Sequence, residues 1–220
     1  MSSRIVVFGA TGGTGRALVR QALAQGRTVT AVGRDEARLR AAFADVPDGS
    51  AVVPVVGDVA DGQTVARAVQ GQDVVFDALG PRKGDDPAAL TEALRQIVHA
   101  MQRSGPRRLL LVSGAGIRVA GDRKPLPDRI VSALVRRLNR RDVEEKEAQL
   151  ALLVRTPQLD WTVVRPPRLV DRPGTGKPLA ADPHTIAGGR MVPYADLAAF
   201  LLREADERRF VRRSVFVAAG

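Results

Sequence analysis

A glycine-rich stretch, Gly9-Ala10-Thr11-Gly12-Gly13-Thr14-Gly15, directly follows the apolar run Ile5-Val6-Val7-Phe8. The run predicts a buried strand, and the apolar residues spaced along 13–25 predict a helix after the turn. A strand, a glycine-rich turn and a helix in this order are typical of a dinucleotide-binding unit, in which the helix N-terminus holds the phosphates. The sequence therefore predicts a nucleotide site. A strand–helix connection with no ligand is the alternative that this pattern leaves open.

The three spaced glycines of this turn have different expected roles. Gly9 lets the chain leave the strand tightly, Gly12 lets the backbone approach a pyrophosphate, and Gly15 lets the helix pack close to the sheet. Their spacing is G-x-x-G-x-x-G, whereas typical dehydrogenases carry G-x-G-x-x-G. The turn by itself indicates a dinucleotide but not which one.

The end of the second predicted strand, 28–32, indicates which nucleotide is preferred. An acid at this place binds the adenosine ribose hydroxyls and selects NAD, but here Gly33 and Arg34 follow the strand. A guanidinium can bind the 2′-phosphate of NADP through two hydrogen bonds, and Arg38 could add charge from the same helical face. The pattern favours NADP over NAD. An ordinary surface arginine is the alternative reading.

Composition limits the class of protein. The chain has 220 residues and no cysteine, so disulfides, thiol chemistry and cysteine metal sites are excluded. Two histidines, His99 and His184, argue against a zinc centre, and we expect no metal site. There is no apolar run of transmembrane length, and the first strand begins too early to leave room for a signal peptide. These features predict a cytoplasmic protein without a membrane partner.

The formal net charge of +10 raises the question of nucleic-acid binding. Lysine supplies only four of the 34 basic residues, and the chain has one Trp and one Tyr for stacking bases. The densest basic cluster, 136–141, is followed at once by Glu144, Glu145 and Glu147, which is typical of a solvated helix. The composition argues against nucleic acid and favours a role of the charge in attracting anionic small molecules.

Predicted strands and helices alternate along the whole chain. Continuous apolar strands between helices predict an α/β fold with a Rossmann-like doubly wound parallel sheet, because both faces of such a sheet are covered. We expect one NAD(P)-binding domain over 1–220, with a small C-terminal substrate lobe or lid within 166–195. The expected strands are 4–8, 28–32, 51–56, 73–77, 108–112, 161–165 and 214–218, and the expected helices are 13–25, 35–44, 62–70, 87–104, 127–155 and 195–204.

The residues that follow each strand are candidate ligand contacts, because open α/β sheets bind ligands beyond the carboxyl ends of their strands. In 57–59 the acid could accept a hydrogen bond from the adenine amino group, while the valine packs on the adenine ring. In 78–80 small residues let the chain pass close to ribose and phosphates. The hydroxyl of Ser113 would face the nicotinamide or its substrate, and 165–168 would line the other side of the mouth. Each segment could instead be a turn with no ligand.

The chain resembles a known family, the atypical short-chain dehydrogenases of the NmrA-like and biliverdin-IXβ reductase (flavin reductase) group. The resemblance implies a Rossmann core, bound NADP(H), and reduction of a planar acceptor such as a flavin or a bilin. It equally allows a non-catalytic redox sensor that acts through a protein partner. The matching segments are Gly9–Gly15, Val32–Asp35, Val56–Val59, Leu111–Ser113, Asp160–Pro167 and Ala195–Ala198.

Carried over position by position, the resemblance assigns the cofactor contacts, and Ser113 matches a serine beside the nicotinamide. Arg168 also follows a predicted strand, so we expect it to face Ser113 across the cleft as an anion-binding group. The expected oligomeric state is a monomer or a weak homodimer. The cofactor contacts it assigns are Gly9, Thr11, Gly12, Gly13, Thr14, Gly15, Arg34, Asp58, Val59, Leu79, Gly80, Ser113, Pro166 and Pro167.

Two departures from the family narrow the chemistry. Orthodox short-chain dehydrogenases use a Tyr-x-x-x-Lys pair, but this chain has Asp142 at the tyrosine position before Lys146. Biliverdin-IXβ reductases carry a histidine after the Pro-Pro, where this chain has Arg168. An arginine cannot donate a proton at neutral pH but can bind a phosphate or propionate. We therefore expect hydride transfer from NADPH to a flavin, or to a bilin- or quinone-like compound, with FMN as a candidate substrate.

Overall fold

Strands and helices alternate along the chain in the computed structural model, as the apolar patterns predict. The structure describes residues 3–46, 52–81, 86, 88–123, 133, 137, 139–186 and 191–219. The strands are β1 (Arg4–Phe8), β2 (Thr28–Gly33), β3 (Val52–Val56), β4 (Val74–Asp77), β5 (Arg108–Val112), β6 (Asp160–Arg165), β7 (Arg168–Val170), β8 (Ala180–Asp182), β9 (Met191–Pro193) and β10 (Arg213–Ala218). The helices are α1 (Gly13–Ala24), α2 (Glu36–Ala42), α3 (Gly62–Val69), α4 (Ala88–Ser104), α5 (Arg140–Val154) and α6 (Tyr194–Glu207).

Eight strands form one sheet in the order β3-β2-β1-β4-β5-β6-β10-β8. All neighbours are parallel except β8, which pairs antiparallel with β10 at one edge. β1 pairs with both β2 and β4, so the strand order reverses beside it. A crevice opens at such a reversal, beyond the carboxyl ends of the strands. The predicted Rossmann-like doubly wound fold is confirmed, and the sheet places the glycine-rich turn at this crevice.

Alternate side chains of the central strands enter two separate apolar cores, one on each face of the sheet. In β1, Ile5 and Val7 pack with residues of α1, α2 and α6, while Val6 and Phe8 pack with residues of α3, α4 and α5. All four side chains are fully buried. Burial on both faces explains why the strand sequences are continuous apolar runs rather than alternating ones.

The region 166–195 contains more regular structure than a glycine- and proline-rich loop would suggest. β7 and β9 pair in parallel as a second, two-stranded sheet, and β8 extends the main sheet. The expected helix 127–155 is observed as α5, and most of its predicted N-terminal part lies outside the described residues. Within the described ranges, no helix is long and apolar enough to cross a membrane.

Candidate cofactor-binding site

A cavity of about 590 Å³ lies at the crevice beside β1, along the carboxyl ends of β1 to β5. It brings together ten of the residues predicted from the sequence: Gly9, Thr11, Gly12, Thr14, Arg34, Asp58, Val59, Leu79, Gly80 and Ser113. Other described residues complete its wall: Val32, Gly33, Gly57, Ala60, Ala78, Pro81, Asp86, Ala89, Leu90, Val112, Lys146, Leu169 and Tyr194.

The glycine-rich turn is built against backbone atoms, so its glycines are required sterically. Gly9 has a φ of +78°, and a Cβ there would lie 2.6 Å from the carbonyl oxygen of Ala78. A Cβ at Gly15 would lie 2.1 Å from the carbonyl oxygen of Gly9. The N–H of Gly12 donates to that same oxygen at 3.0 Å and closes the turn. Gly12 is exposed toward the cavity, which leaves room for a phosphate to approach the backbone.

Gly13 is absent from the residues that line the cavity, and a different neighbour explains its identity. A Cβ at Gly13 would lie 2.5 Å from Cε2 and from Cζ of Tyr194, the first residue of α6. The aromatic ring therefore lies directly against the first residue of α1. Tyr194 itself lines the cavity, so this contact places a phenol beside the glycine-rich turn.

One end of the cavity, where the sequence predicts that adenine binds, lies at the carboxyl end of β2. A Cβ at Gly33 would lie 3.0–3.2 Å from the side chain of Leu39 in α2, so close packing also favours glycine here. Arg34 lines the cavity and is exposed, with no ion pair to another described residue. The nearby Asp35 carboxylate accepts the N–H of Arg38 and caps α2. The cation at this end is therefore available to a ligand, while the neighbouring acid is occupied.

Asp58 and Val59 lie on the opposite side of the same end, after β3. Asp58 Oδ1 accepts the N–H of Ala60 at 2.9 Å, and the side chain is otherwise exposed. Val59 is half-buried against the core on that face. An exposed carboxylate next to a fixed apolar side chain is a suitable surface for an adenine ring.

Asp77 ends β4 beneath the cavity and is buried, with 2 % of its surface exposed. Its Oδ1 accepts the N–H of Leu79 at 3.0 Å and holds the 77–79 turn. Burial raises the pKa of Asp77 to about 7, and the Leu79 hydrogen bond opposes the shift only in part. The group therefore titrates near neutrality, directly behind the cavity wall that Leu79 and Gly80 form.

Ser113 follows β5 at the other end of the cavity. Two backbone hydrogen bonds fix its position: its own N–H donates to the carbonyl of Val164, and the N–H of Ala115 donates to the carbonyl of Pro166. The side chain is 9 % exposed, and its hydroxyl has no hydrogen-bond partner within the part of the chain that the structure describes. Buried hydroxyls are normally paired, and because Ser113 lines the cavity its hydroxyl is available to a ligand there.

Lys146 reaches the same end from α5. Its Nζ would lie 3.5 Å from a Cβ placed on Gly114, the residue after Ser113. Burial lowers the pKa of the Lys146 ammonium, and the charge of Asp142, one helical turn earlier, partly offsets this shift. A half-buried ammonium with a lowered pKa gives up its proton more readily than a surface lysine does. Asp142 does not line the cavity.

The residues that follow β6 do not line the cavity as the sequence suggested. Arg165 is fully buried and donates two hydrogen bonds of 2.9 Å to Asp122, with its guanidinium 3.6 Å above the Phe216 ring. The expectation that it faces the mouth is wrong. Pro166 is buried and Pro167 half-buried, while Arg168 is exposed at the start of β7. The cavity contact in this segment is the next residue, Leu169.

Sequence reasoning assigned no role at the cavity to Leu169 or Tyr194. Both come from the C-terminal region, at positions where β7 and α6 begin to run along the crevice. A local signal for Tyr194 exists, because it immediately precedes the Ala195–Ala198 motif and is the only tyrosine of the chain. Contact between this residue and the turn at Gly13 is long-range, and nothing in either segment alone indicates it.

Several observations fit a nicotinamide dinucleotide in this cavity. The glycine-rich turn offers a helix N-terminus to a diphosphate, the β2 end offers an uncommitted guanidinium, and the β5 end offers an unpartnered hydroxyl. These three features lie along the crevice, from β2 on one side of β1 to β5 on the other. Among the described residues there is no group of three or more His, Cys, Asp or Glu side chains that could hold a metal ion.

Solved structures with the same fold are found in several bacteria. ChuY, an anaerobilin reductase from Escherichia coli O157:H7, is similar over 98 % of this chain and 97 % of its own, with 24 % identity and a TM-score of 0.79. The oxidoreductase ylbE from Lactococcus lactis shares 16 % identity over 99 % of this chain and 91 % of its own, with a TM-score of 0.77. A short-chain dehydrogenase/reductase from Veillonella parvula shares 22 % identity over 99 % of this chain and 94 % of its own, with a TM-score of 0.76.

A family model described as NAD(P)H-binding matches residues 9–208. The match begins at the first glycine of the turn and includes every described residue that lines the cavity. With the glycine-rich turn, the crevice beside β1 and this match in agreement, the chain belongs to the NAD(P)H-binding family.

Proposed function

We propose that this protein is an NADPH-dependent reductase that transfers a hydride to a planar conjugated acceptor, a flavin or a bilin- or quinone-like compound. The observation that carries the proposal is the unpartnered, buried hydroxyl of Ser113 beside the Lys146 ammonium, at the opposite end of the cavity from Arg34. The nicotinamide ring and the hydride acceptor would need polar groups at this end to orient them. ChuY, described as an anaerobilin reductase, shares this fold, which is in keeping with the same class of reaction.

Preference for NADPH over NADH follows from the β2 end. Gly33 provides no carboxylate for the ribose hydroxyls, and the carboxylate of Asp35 is engaged in capping α2. The exposed Arg34 guanidinium is free to bind a 2′-phosphate through two N–H groups. Asp58 and Val59 hold the adenine from the other side, as an acceptor of its amino group and an apolar surface.

The walls around the reacting end suit a flat acceptor. Val112, Leu169 and Leu90 provide apolar surface, and the polar side chains beside them are Ser113 and Lys146. When bound, NADPH supplies the hydride. The Ser113 hydroxyl orients a carbonyl or amide oxygen, and the Lys146 ammonium lies where it can stabilise negative charge on the acceptor or donate the proton that balances the hydride. Pro166 acts behind this end, by fixing the turn that carries Ser113.

The Tyr-Lys chemistry of orthodox short-chain dehydrogenases is not part of this proposal. Position 142, where that tyrosine would be, is an aspartate outside the cavity wall. A hydride acceptor such as a flavin needs little acid catalysis from the protein, since its reduced ring nitrogens take up protons readily. The protein's contribution to flavin reduction is then orientation, a shaped binding face and the charge of Lys146 near the acceptor.

Steady-state oxidation of NADPH with FMN, a bilin and a quinone, each followed at the nicotinamide absorbance band, tests the proposal. We expect protein-dependent turnover with one of these acceptor classes. Ser113→Ala should reduce turnover while leaving the NADPH dissociation constant within a few-fold of the parent value. Tight NADPH binding without turnover for any acceptor would contradict the proposal and favour a non-catalytic redox sensor of the NmrA type.

A further inference from the structure

The Tyr194 side chain has an unusual position for a residue so far from the glycine-rich turn in sequence. Its Cε2 and Cζ atoms occupy the space that a Cβ on Gly13 would need. The phenol hydroxyl is bonded to Cζ, so it also lies at the first turn of α1. Gly12 and Thr14, the residues on either side of Gly13, line the cavity together with Tyr194.

Two polar contacts hold this tyrosine in place. The side-chain amide of Gln21 in α1 donates to the carbonyl of Ala195 at 2.8 Å, which ties the start of α6 to α1. One residue further, the buried Asp196 carboxylate accepts the N–H and the hydroxyl of Thr175. The start of α6, directly after Tyr194, is therefore held in place, and the tyrosine ring lies against Gly13.

The hydroxyl of Tyr194 makes no hydrogen bond to another residue in the described part of the chain, although the ring is half-buried. A phenol at this place has an O–H donor available, and the nearest expected ligand group is the diphosphate at the glycine-rich turn. Hydrogen bonds from a neutral donor to a phosphate are charge-assisted and stronger than neutral pairs.

We propose that Tyr194 is a cofactor-positioning residue, whose hydroxyl donates a hydrogen bond to the diphosphate of the bound dinucleotide across Gly13. This inference rests on NADPH occupying the cavity as in the proposed function, but it does not depend on the acceptor. It also gives Gly13 its role: the missing Cβ admits the tyrosine ring rather than the cofactor. Substitution of either residue should then disturb the same contact.

Fluorine NMR gives a direct test, because Tyr194 is the only tyrosine of the chain. Protein grown with 3-fluorotyrosine should give one resonance, which Tyr194→Phe removes. We expect this resonance to shift when NADPH binds and to stay in place with saturating adenosine 2′-monophosphate, which carries the 2′-phosphate but no diphosphate. A resonance that ignores bound NADPH, or that shifts equally with both ligands, would overturn the inference.

Binding measurements complete the test. Tyr194→Phe keeps the ring and should weaken NADPH binding about tenfold, the usual loss for one charge-assisted hydrogen bond, with the affinity for adenosine 2′-monophosphate unchanged. Gly13→Ala should shift the fluorine resonance of the ligand-free protein, and its effect on NADPH affinity should add less than fully to that of Tyr194→Phe. Unchanged NADPH affinity in Tyr194→Phe, or full additivity, would overturn the inference. Failure of the parent protein to bind NADPH would instead overturn the cofactor assignment itself.

Discussion

Two regions of the cavity, the glycine-rich turn and the end beside Ser113, are built in different ways. At the turn the wall is backbone: a side chain has no space at Gly9 or Gly15, and the atoms that exclude it are backbone atoms. At the Ser113 end the wall consists of side chains from distant elements, with Ser113 after β5, Lys146 on α5 and Leu169 on β7. Gly9 and Gly15 therefore tolerate no larger residue, whereas single substitutions at the Ser113 end can change its chemistry.

This difference indicates where specificity resides. A backbone-built phosphate site binds any dinucleotide that presents a diphosphate, so it identifies the family but not the reaction. Under the proposed function, the side chains at the Ser113 end would select the acceptor and the cation at Arg34 would select the cofactor.

The largest effect is expected for Gly15→Ala. The new Cβ would collide with the carbonyl oxygen of Gly9 and with Cα of Ala10, and neither can move without breaking the turn. We expect a loss of about 3 kcal/mol or more in the free energy of unfolding and no measurable NADPH binding. Denaturant unfolding and NADPH titration check this result.

Gly62→Ala is the matched control for Gly15→Ala, since both glycines lie at the start of a helix. A Cβ at Gly62 would meet only the flexible end of the Gln96 side chain, at 2.9 Å. Its free energy of unfolding should stay within about 1 kcal/mol of the parent value. Equal losses in both variants would contradict the view that the turn is set by backbone packing.

A pH-dependent effect of similar size is expected from Asp77. Burial raises its folded-state pKa to about 7 from a usual value of 3.8, so the folded protein holds this proton more tightly than the unfolded chain. As pH rises from 4 toward 7 the unfolded chain loses the proton first, and stability should fall relative to Asp77→Asn by about 2–4 kcal/mol. Above pH 7 the difference should level off. Paired unfolding curves at several pH values measure it, and a pH-independent difference would contradict the assigned pKa.

At the reacting end, Lys146→Met should reduce kcat about 10- to 100-fold, the usual contribution of a positioned acid or charge. Asp142 lies one turn from Lys146 on the same helix. The kcat of Asp142→Ala should stay within a few-fold of the parent value, because Asp142 does not line the cavity. Turnover with the preferred acceptor separates the two. A loss in Asp142→Ala as large as that in Lys146→Met would mean that the pair acts as a proton-transfer unit.

Arg34→Ala tests the opposite end. Removal of a guanidinium that binds the 2′-phosphate should abolish a preference for NADPH of about ten- to hundredfold and leave NADH binding nearly unchanged. Titration with both nucleotides gives the answer. If the parent protein binds NADH as tightly as NADPH, the assignment of Arg34 is wrong.

The smallest effect is expected for Arg168→Ala. Its side chain is exposed and outside the cavity wall, beside the lining residue Leu169, so solvent screens its charge. We expect a few-fold increase in KM for FMN and none for uncharged riboflavin, with kcat unchanged. Equal changes for the two flavins would remove the anion-binding role of this arginine.

The sequence predicted the fold and the backbone-built end well, because both depend on local patterns. Apolar runs identify β1 and β5. The turn requires residues without a side chain at positions 9 and 15, and the glycines there can be read from the sequence. Ten predicted cofactor contacts lie together in one cavity.

The sequence was less informative where the structure depends on long-range contacts. Strands β7, β8 and β9 have only three residues each and show no usable periodicity. The charge of Arg165 predicts an exposed side chain. The residue is buried because Asp122, 43 positions away, accepts two hydrogen bonds from its guanidinium. The contact of Tyr194 with Gly13 joins segments 181 positions apart, and neither segment alone reveals it.

A single-turnover measurement checks whether NADPH gives up a hydride at the Ser113 end of the cavity. One equivalent of NADPH, deuterated on either face of the nicotinamide C4, is mixed with the protein and with FMN, a bilin or a quinone. The account predicts a protein-dependent loss of the nicotinamide absorbance with one acceptor class, slower for the deuterium on one face only. NADPH that binds and stays reduced with every acceptor would contradict it.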